Sequence, residues 1–361
     1  MVRHLYVHIP FCPKVCPYCS FYKEASDRNK TKAFLEALLA EAEMSAVGLR
    51  PETVFFGGGT PTALSTSQLE FLIAGLRERV DFSEVKEFTI EMNPATVSIE
   101  KALALLALGV NRVSMGVQSW DDLLLGTLGR VHSAAQARRS YEILREAGAE
   151  NINLDLIFGI PGQSAAEWRD TLTRTLELEP DHISAYCLTY EEDTKYFEKF
   201  ARGEYVPDEG TDADYFETAM DVLSGAGFEQ YEISNYARPG RECLHNLAYW
   251  QGADYAGFGP SAFSTRSGRR RRNIADTSEY IRRVENRLDR HDFEEPVPAD
   301  LRRSEIIAFA LRTKYGIPAS DADRKTAGEL EANGLVEIAA GRLRLTLKGK
   351  LVADAVAAEL F

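Results

Sequence analysis

The chain has 361 residues, of which 45% are hydrophobic, enough for one large unit with a smaller one attached. A formal net charge of −13 argues against a general affinity for nucleic acids or anionic membranes, and no apolar run approaches a membrane-spanning length. The expectation is a cytoplasmic protein with no nucleic-acid partner, no transmembrane segment and no leader pattern ahead of its first strand. Peripheral contact with membrane-bound proteins stays compatible with this.

Residues 5–9 read as a strand, and Cys12, Cys16 and Cys19 follow it at once, spaced C-x3-C-x2-C. Three of the five cysteines thus lie within eight residues. Three thiolates suit an iron–sulfur cluster that keeps one iron open. A zinc site would need a fourth donor, for which His4 and His8 are the candidates. The remaining cysteines, Cys187 and Cys243, are isolated and suggest no disulfide framework.

From there strands and helices alternate. Helix 30–47 precedes strand 53–56, and helix 68–80 follows with Ser67 and Glu70 placed as a capping box. Strand 87–91, helix 99–108 and strand 112–118 come next, followed by a short helix near Asp122 and a longer one at 134–147. Strand 151–158 leads to helix 165–177, with a second box at Ser164 and Glu167. Strand 182–190 precedes an irregular aromatic and charged insertion, 194–210, and a helix at about 212–225. Six β-α units imply a parallel sheet with right-handed crossovers, rolled into a partial (β/α)6 TIM-like barrel. Chemistry in barrels sits at the C-terminal ends of the strands. Those ends carry the cysteine loop, Gly57-Gly58-Gly59-Thr60-Pro61, Glu91-Met92-Asn93-Pro94, Gln118-Ser119, Asp155 just before a glycine turn, and Tyr190-Glu191-Glu192.

Beyond a strand at 229–234 the pattern is glycine- and aromatic-rich. It contains Cys243-Leu-His245-Asn246-Leu-Ala-Tyr249-Trp250, where an imidazole among aromatic rings is suited to a heme iron. His245 is the candidate ligand, with Cys243 as the alternative. Arg269 to Arg272 form a basic run, read as a solvated hairpin tip or as a clamp for propionates or an acidic partner. Pro296 and Pro298 mark a linker. Helices at 303–314 and 323–333, short strands at 336–338 and 342–347 and a final helix resemble a winged helix. The near-neutral charge of this last segment favours a lid or docking role over DNA binding. The expected division is a barrel unit at 1–228, a strand and aromatic segment at 229–298, and a small C-terminal winged-helix-like α+β domain at 299–361.

The C-x3-C-x2-C loop, with Tyr18 before its last cysteine, resembles that of the radical S-adenosylmethionine (SAM) enzymes. The longer string Tyr-x-His-Ile-Pro-Phe-Cys resembles the oxygen-independent coproporphyrinogen III oxidase group, which contains the HemN dehydrogenases and the HemW heme chaperones. The resemblance implies a [4Fe-4S] cluster on Cys12, Cys16 and Cys19, with SAM on its open iron. It implies SAM contacts at Tyr6, Tyr18, Gly58, Gly59, Thr60, Glu91, Gln118, Arg130 and Asp155, with Arg130 on the SAM carboxylate. HemN-like sequences carry a further cysteine where this chain has Phe21, and the His-Asn-x-x-Tyr-Trp string is associated with HemW, so the expected branch is the heme chaperones. That branch implies heme bound through His245, a heme-accepting client protein, and no coproporphyrinogen dehydrogenase activity. The alternative is a radical SAM coproporphyrinogen III dehydrogenase, and a third reading is a zinc-structured protein without SAM.

Overall fold

A computed structural model of the chain describes residues 1–25 and 27–360. Six parallel strands stand side by side in chain order: Val2–Ile9, Leu49–Gly58, Glu87–Met92, Arg112–Gln118, Ile152–Phe158 and His182–Cys187. Each is joined to the next by one or more helices, and together they form the expected partial barrel. Later segments extend both edges. Ala256–Phe258 pairs parallel to the first strand, while Asn235–Ala237, with Glu229–Gln230 beyond it, runs antiparallel on the sixth.

Period-two alternation explains both faces of this sheet. Leu5, Val7 and Ile9, then Val54 and Phe56, Phe88 and Ile90, Val113 and Met115, Leu154 and Leu156, and Ile183 all point outward and are buried beneath the helices. Each such side chain contributes roughly 1.5–3 kcal/mol by leaving water. The intervening positions point into the barrel and are mostly polar: His4, Tyr6 and His8 on the first strand, Glu87, Thr89 and Glu91 on the third, Arg112 and Ser114 on the fourth, Asn153 and Asp155 on the fifth. A barrel interior this polar is built for a site.

Several local expectations shift. The capping box at Ser164 and Glu167 forms as expected. The helix Thr66–Arg79, however, is boxed by Ser65 and Gln68 rather than by Ser67 and Glu70. Starting two residues earlier places Leu64 and Leu69 on either side of the first turn, and both are buried, as in a hydrophobic staple. The sixth strand ends at Cys187, and the insertion beyond it contains a helix, Lys195–Ala201, capped by Thr194. The strand expected at 229–234 is broken by a turn in which Glu232 Oε1 accepts the Ser234 N–H at 3.1 Å.

The basic run is not a hairpin tip. Arg269–Asn273 is the central strand of a three-stranded antiparallel sheet, between Phe263–Arg266 and His291–Pro296. Its arginines are matched by acids: Arg271 Nε lies 3.1 Å from Glu294, Arg272 Nε 2.9 Å from Asp292, and Arg270 Nη1 and Nη2 lie 2.9 and 2.8 Å from Glu295 and Glu305. At the C-terminus, helices Ala299–Leu311 and Arg324–Ala332 pack on a small antiparallel sheet of Ile317–Pro318, Val336–Ala339 and Arg342–Leu345 around their own apolar core. The single final helix expected there is two short ones, Leu347–Leu351 and Ala353–Glu359. No helix among the described residues is long and apolar enough to cross a membrane.

Candidate functional site

Strand register sorts the inward side chains by depth. His4 is level with Thr53, Tyr6 with Phe55 and His8 with Gly57. Thr53 is level with Glu87, Gly116 with Asp155, and Asp155 with Ser184. The C-terminal mouth therefore holds His8, Gly57, Glu91, Gly116 and Asp155, with the cysteine loop above them. The opposite end holds His4, Thr53, Glu87, Arg112 and His182.

At the mouth, the glycine run and the cysteine loop are tied through the backbone. The Gly59 N–H donates to the Ile9 carbonyl at 2.9 Å, and the Thr60 N–H to the Phe11 carbonyl at 2.8 Å. Gly58 has φ +102°, and a Cβ there would stand 2.3 Å from the His8 ring, while one on Gly59 would stand 2.7 Å from the Pro10 backbone. Glycine is required at both positions for this close approach. The Gly58 N–H donates to Glu91 Oε2 at 3.1 Å. Burial, reinforced by the charge of Asp155, pushes the Glu91 carboxyl up to about 8, against the pull of that N–H. Gln118 has φ +69° and leaves its buried Oε1 without a partner.

Asp155 is held from below. Asn153 Nδ2 donates to Asp155 Oδ1 at 2.7 Å, and the Ser114 hydroxyl donates to Oδ2 at 3.1 Å. Burial raises the Asp155 carboxyl, and the donors from Asn153, Ser184 and Ser114 oppose that rise. Asn153 Oδ1 in turn accepts from His182 Nδ1 at 2.6 Å, and His182 Nε2 accepts from the Tyr231 hydroxyl at 2.8 Å. The Tyr231 oxygen receives the Cys243 N–H at 3.3 Å. One hydrogen-bonded chain thus runs from the His245 segment to the acid at the mouth. Sequence reasoning missed Ser114, Asn153, His182, Thr53 and Glu87, although polar residues at every second position of otherwise apolar strands were a signal for them.

The three cysteines are half-buried and free. The Cys12 thiol accepts from Thr60 and the Cys16 thiol from Arg130, while the Cys19 N–H donates to the Cys16 carbonyl at 3.3 Å. Burial raises the Cys12 and Cys19 thiols, and the nearby Lys23 ammonium counteracts this at both. Among the described residues no three His, Cys, Asp or Glu side chains converge on a single point to hold one metal ion. The histidines that would complete a zinc loop are engaged elsewhere. His8 spans Tyr6 and the Tyr22 carbonyl, and His4 sits at the far end against Thr53. Three thiols spread over one loop, above a glycine strand end free of side chains and an unpartnered amide oxygen, fit a cluster with a small zwitterion beside it. Within this loop Tyr18 packs against Tyr196, with ring centroids 6.1 Å apart.

His245 is at the other end of the barrel, beneath Phe55, with ring centroids 5.2 Å apart. It is 1% exposed, and both ring nitrogens are engaged: Nδ1 with Thr53 Oγ1 at 2.7 Å and Nε2 with the Tyr249 hydroxyl at 2.9 Å. Burial holds the imidazole neutral, with its pKa lowered to about 3. The helix Leu244–Trp250 that carries it begins on Glu87, whose carboxylate accepts the Leu244 N–H at 2.8 Å and the His245 N–H at 3.0 Å. Beside Tyr249 opens a cavity of about 310 Å³ walled by Tyr249, Trp250, Phe263 and Phe309, with Arg270 and Arg302 on its border.

A partial barrel whose mouth carries C-x3-C-x2-C above a glycine strand end defines a radical SAM protein, and the radical SAM superfamily pattern matches residues 6–174. The chain is similar to the heme chaperone HemW of Bacillus subtilis, with 35% identity over 98% of each protein. It is 36% identical to the HemW of Lactococcus lactis, over 86% of this chain and 82% of that one. Among solved structures, that of the radical SAM enzyme coproporphyrinogen III oxidase (HemN) from Escherichia coli superposes with a TM-score of 0.86 at 25% identity, covering 99% of this chain and 90% of that one. The chain belongs to the HemW family of heme chaperones.

Proposed function

We propose that this chain holds a [4Fe-4S] cluster on Cys12, Cys16 and Cys19, binds SAM beside it, and carries heme for delivery to respiratory proteins. The likeness to HemW proteins along the full chain is the observation that carries this reading, and the geometry of the mouth supports it. Tyr6, Gly58, Gly59, Thr60, Glu91, Gln118 and Asp155 would bind SAM, with Tyr18 toward its adenine. Glu91 and Asp155 would accept from ammonium and ribose hydroxyls, and the glycine backbone would approach the amino acid end. The cluster, when bound, supplies an open iron for SAM and one electron when reduced. The residues beneath it orient SAM and exclude water.

For heme, His245 reaches a ligand only once its Tyr249 bond opens. The adjoining cavity offers what a porphyrin recognises: aromatic walls and guanidinium groups for propionates. At about 310 Å³ it must widen first, by parting the Arg270–Glu305 pair that joins the arginine strand to the helix Ala299–Leu311. The test is an anaerobic heme titration of the cluster-loaded protein, followed at the Soret band, with His245→Ala alongside. The expected result is a saturable shift that His245→Ala weakens. A shift indifferent to the substitution moves the ligand elsewhere, Cys243 first. No saturable shift would overturn the chaperone reading, and anaerobic turnover of coproporphyrinogen III with SAM and a reductant would replace it with a dehydrogenase.

A further inference from the structure

The three cysteine sulfurs are not in equivalent surroundings. Arg130 Nη1 lies 3.7 Å from Cys16 Sγ, and Nη2 of the same guanidinium donates to the Gly116 carbonyl at 2.8 Å. Cys12 Sγ receives the Thr60 hydroxyl at 3.6 Å. Gly116 makes room for this arrangement: a Cβ there would stand 3.2 Å from Arg130 Nη2 and 2.8 Å from the Gln118 side-chain nitrogen. The arginine is fixed at its own backbone too, its N–H donating to the Leu125 carbonyl at 2.9 Å. One arm of the fork is therefore on a thiol and the other on a carbonyl, while Nε is buried without a partner. The guanidinium is thus fixed against Cys16 by two donors, while Nε and the second hydrogens of Nη1 and Nη2 stay open to a further acceptor.

We propose, on the reading that the three cysteines carry a cluster, that Arg130 and Thr60 are positioning residues acting on the cluster through Cys16 and Cys12. They raise its reduction potential, a role separate from any contact they make with SAM. Donors to a ligating sulfur draw electron density from the iron–thiolate bonds, and a fixed positive charge in a water-poor site stabilises the more negative state. The step affected is a one-electron transfer. A low-potential one-electron donor is oxidised by one electron and the cluster is reduced by one, with no bond made or broken and no proton moved. Arginine gives the larger effect because it brings a full charge, and threonine the smaller because it brings a dipole.

The experiment uses full-length protein reconstituted anaerobically as wild type, Arg130→Gln, Arg130→Lys and Thr60→Val. Iron and sulfide are assayed in each, and the midpoint is read by EPR-monitored redox titration without SAM; SAM affinity is measured separately. Arg130→Gln is expected to retain its iron and sulfide while its midpoint falls by at least a tenfold change in the reduction equilibrium, about 59 mV for one electron. Thr60→Val is expected to move the same way by less, and Arg130→Lys to fall between wild type and Arg130→Gln. A fully loaded Arg130→Gln with an unchanged midpoint and weakened SAM binding would overturn the proposal and return Arg130 to the SAM carboxylate. If Arg130→Gln fails to load, an unchanged midpoint in Thr60→Val overturns it instead. Wild-type protein that takes up no iron and sulfide would overturn the cluster reading itself, a distinct failure.

Discussion

Replacing Glu87 with alanine tests the attachment of the His245 segment to the barrel. Glu87 is 5% exposed and accepts two backbone N–H groups, from Leu244 and His245, at 2.8 and 3.0 Å, with the Cys243 thiol at 3.4 Å. Hydrogen bonds to a charged acceptor contribute about 1.5–3 kcal/mol each, so the two amides set a loss of about 3–6 kcal/mol. The substitution also strands both amides beside the buried Arg112, which pushes toward the upper half of that range. Glu87→Gln keeps one acceptor but turns an N–H toward a donor, and should lose about half as much. Urea denaturation of the cluster-free proteins reads the change from the midpoint at constant slope. A loss below about 1 kcal/mol for Glu87→Ala, with the slope unchanged, would refute the claim that this carboxylate anchors the helix. The functional corollary is a weakened heme Soret response in Glu87→Gln, since the imidazole is positioned by the same turn.

Gly58→Ala forces a Cβ into the His8 ring at φ +102°, and should destabilise the fold by about 1–3 kcal/mol or more and abolish SAM binding, both read by calorimetry. Asp155→Ala should weaken SAM binding about tenfold, as for loss of one hydrogen bond to a charged group, while leaving iron and sulfide content unchanged; loss of the cluster would make Asp155 structural. His132 and His245 are buried neutral, with pKa values lowered to about 4 and about 3, each by burial first. Their unfolded forms take up protons below about 6.5 while the folded ones do not, so their stabilising effect is complete above pH 6.5 and is lost as pH falls toward 4. The Glu91 carboxyl, raised to about 8, opposes this over the same range, so the histidine effect is read by difference: between pH 7.5 and pH 5 the urea midpoint of His132→Gln should fall less, or rise more, than that of the wild type.

The sequence made the barrel legible because each strand advertises itself twice, as an apolar run and as the end point of a glycine or polar cluster. It made the cysteines legible because three thiols within one short loop have few alternative uses. Less legible was whatever depends on partners far away in the chain. The arginine run looked solvated because Asp292, Glu294 and Glu295 follow some twenty residues later, and only antiparallel pairing brings them opposite. A cap at Ser65 is indistinguishable in sequence from one at Ser67, because the staple between Leu64 and Leu69 shows only in their common burial. His245 reads the same way in sequence whether it faces a ligand or an interior hydroxyl, and Thr53, its partner, lies 192 positions earlier.

The pairing of Ala256–Phe258 with the first strand, together with the seating of the Leu244–Trp250 helix on Glu87, has a consequence for dissecting the protein. The later segment works as a stopper in the floor of the barrel and as a splint along its first edge. A fragment cut at residue 228 would leave Glu87, Arg112 and His182 facing a flooded channel, and would bare the backbone of Leu5, Tyr6 and Val7 as an open template for strand pairing. Such a fragment should aggregate even though it keeps every cysteine and every glycine of the mouth, so trimming this protein to its cysteine-loop portion is not a route to a minimal folded unit.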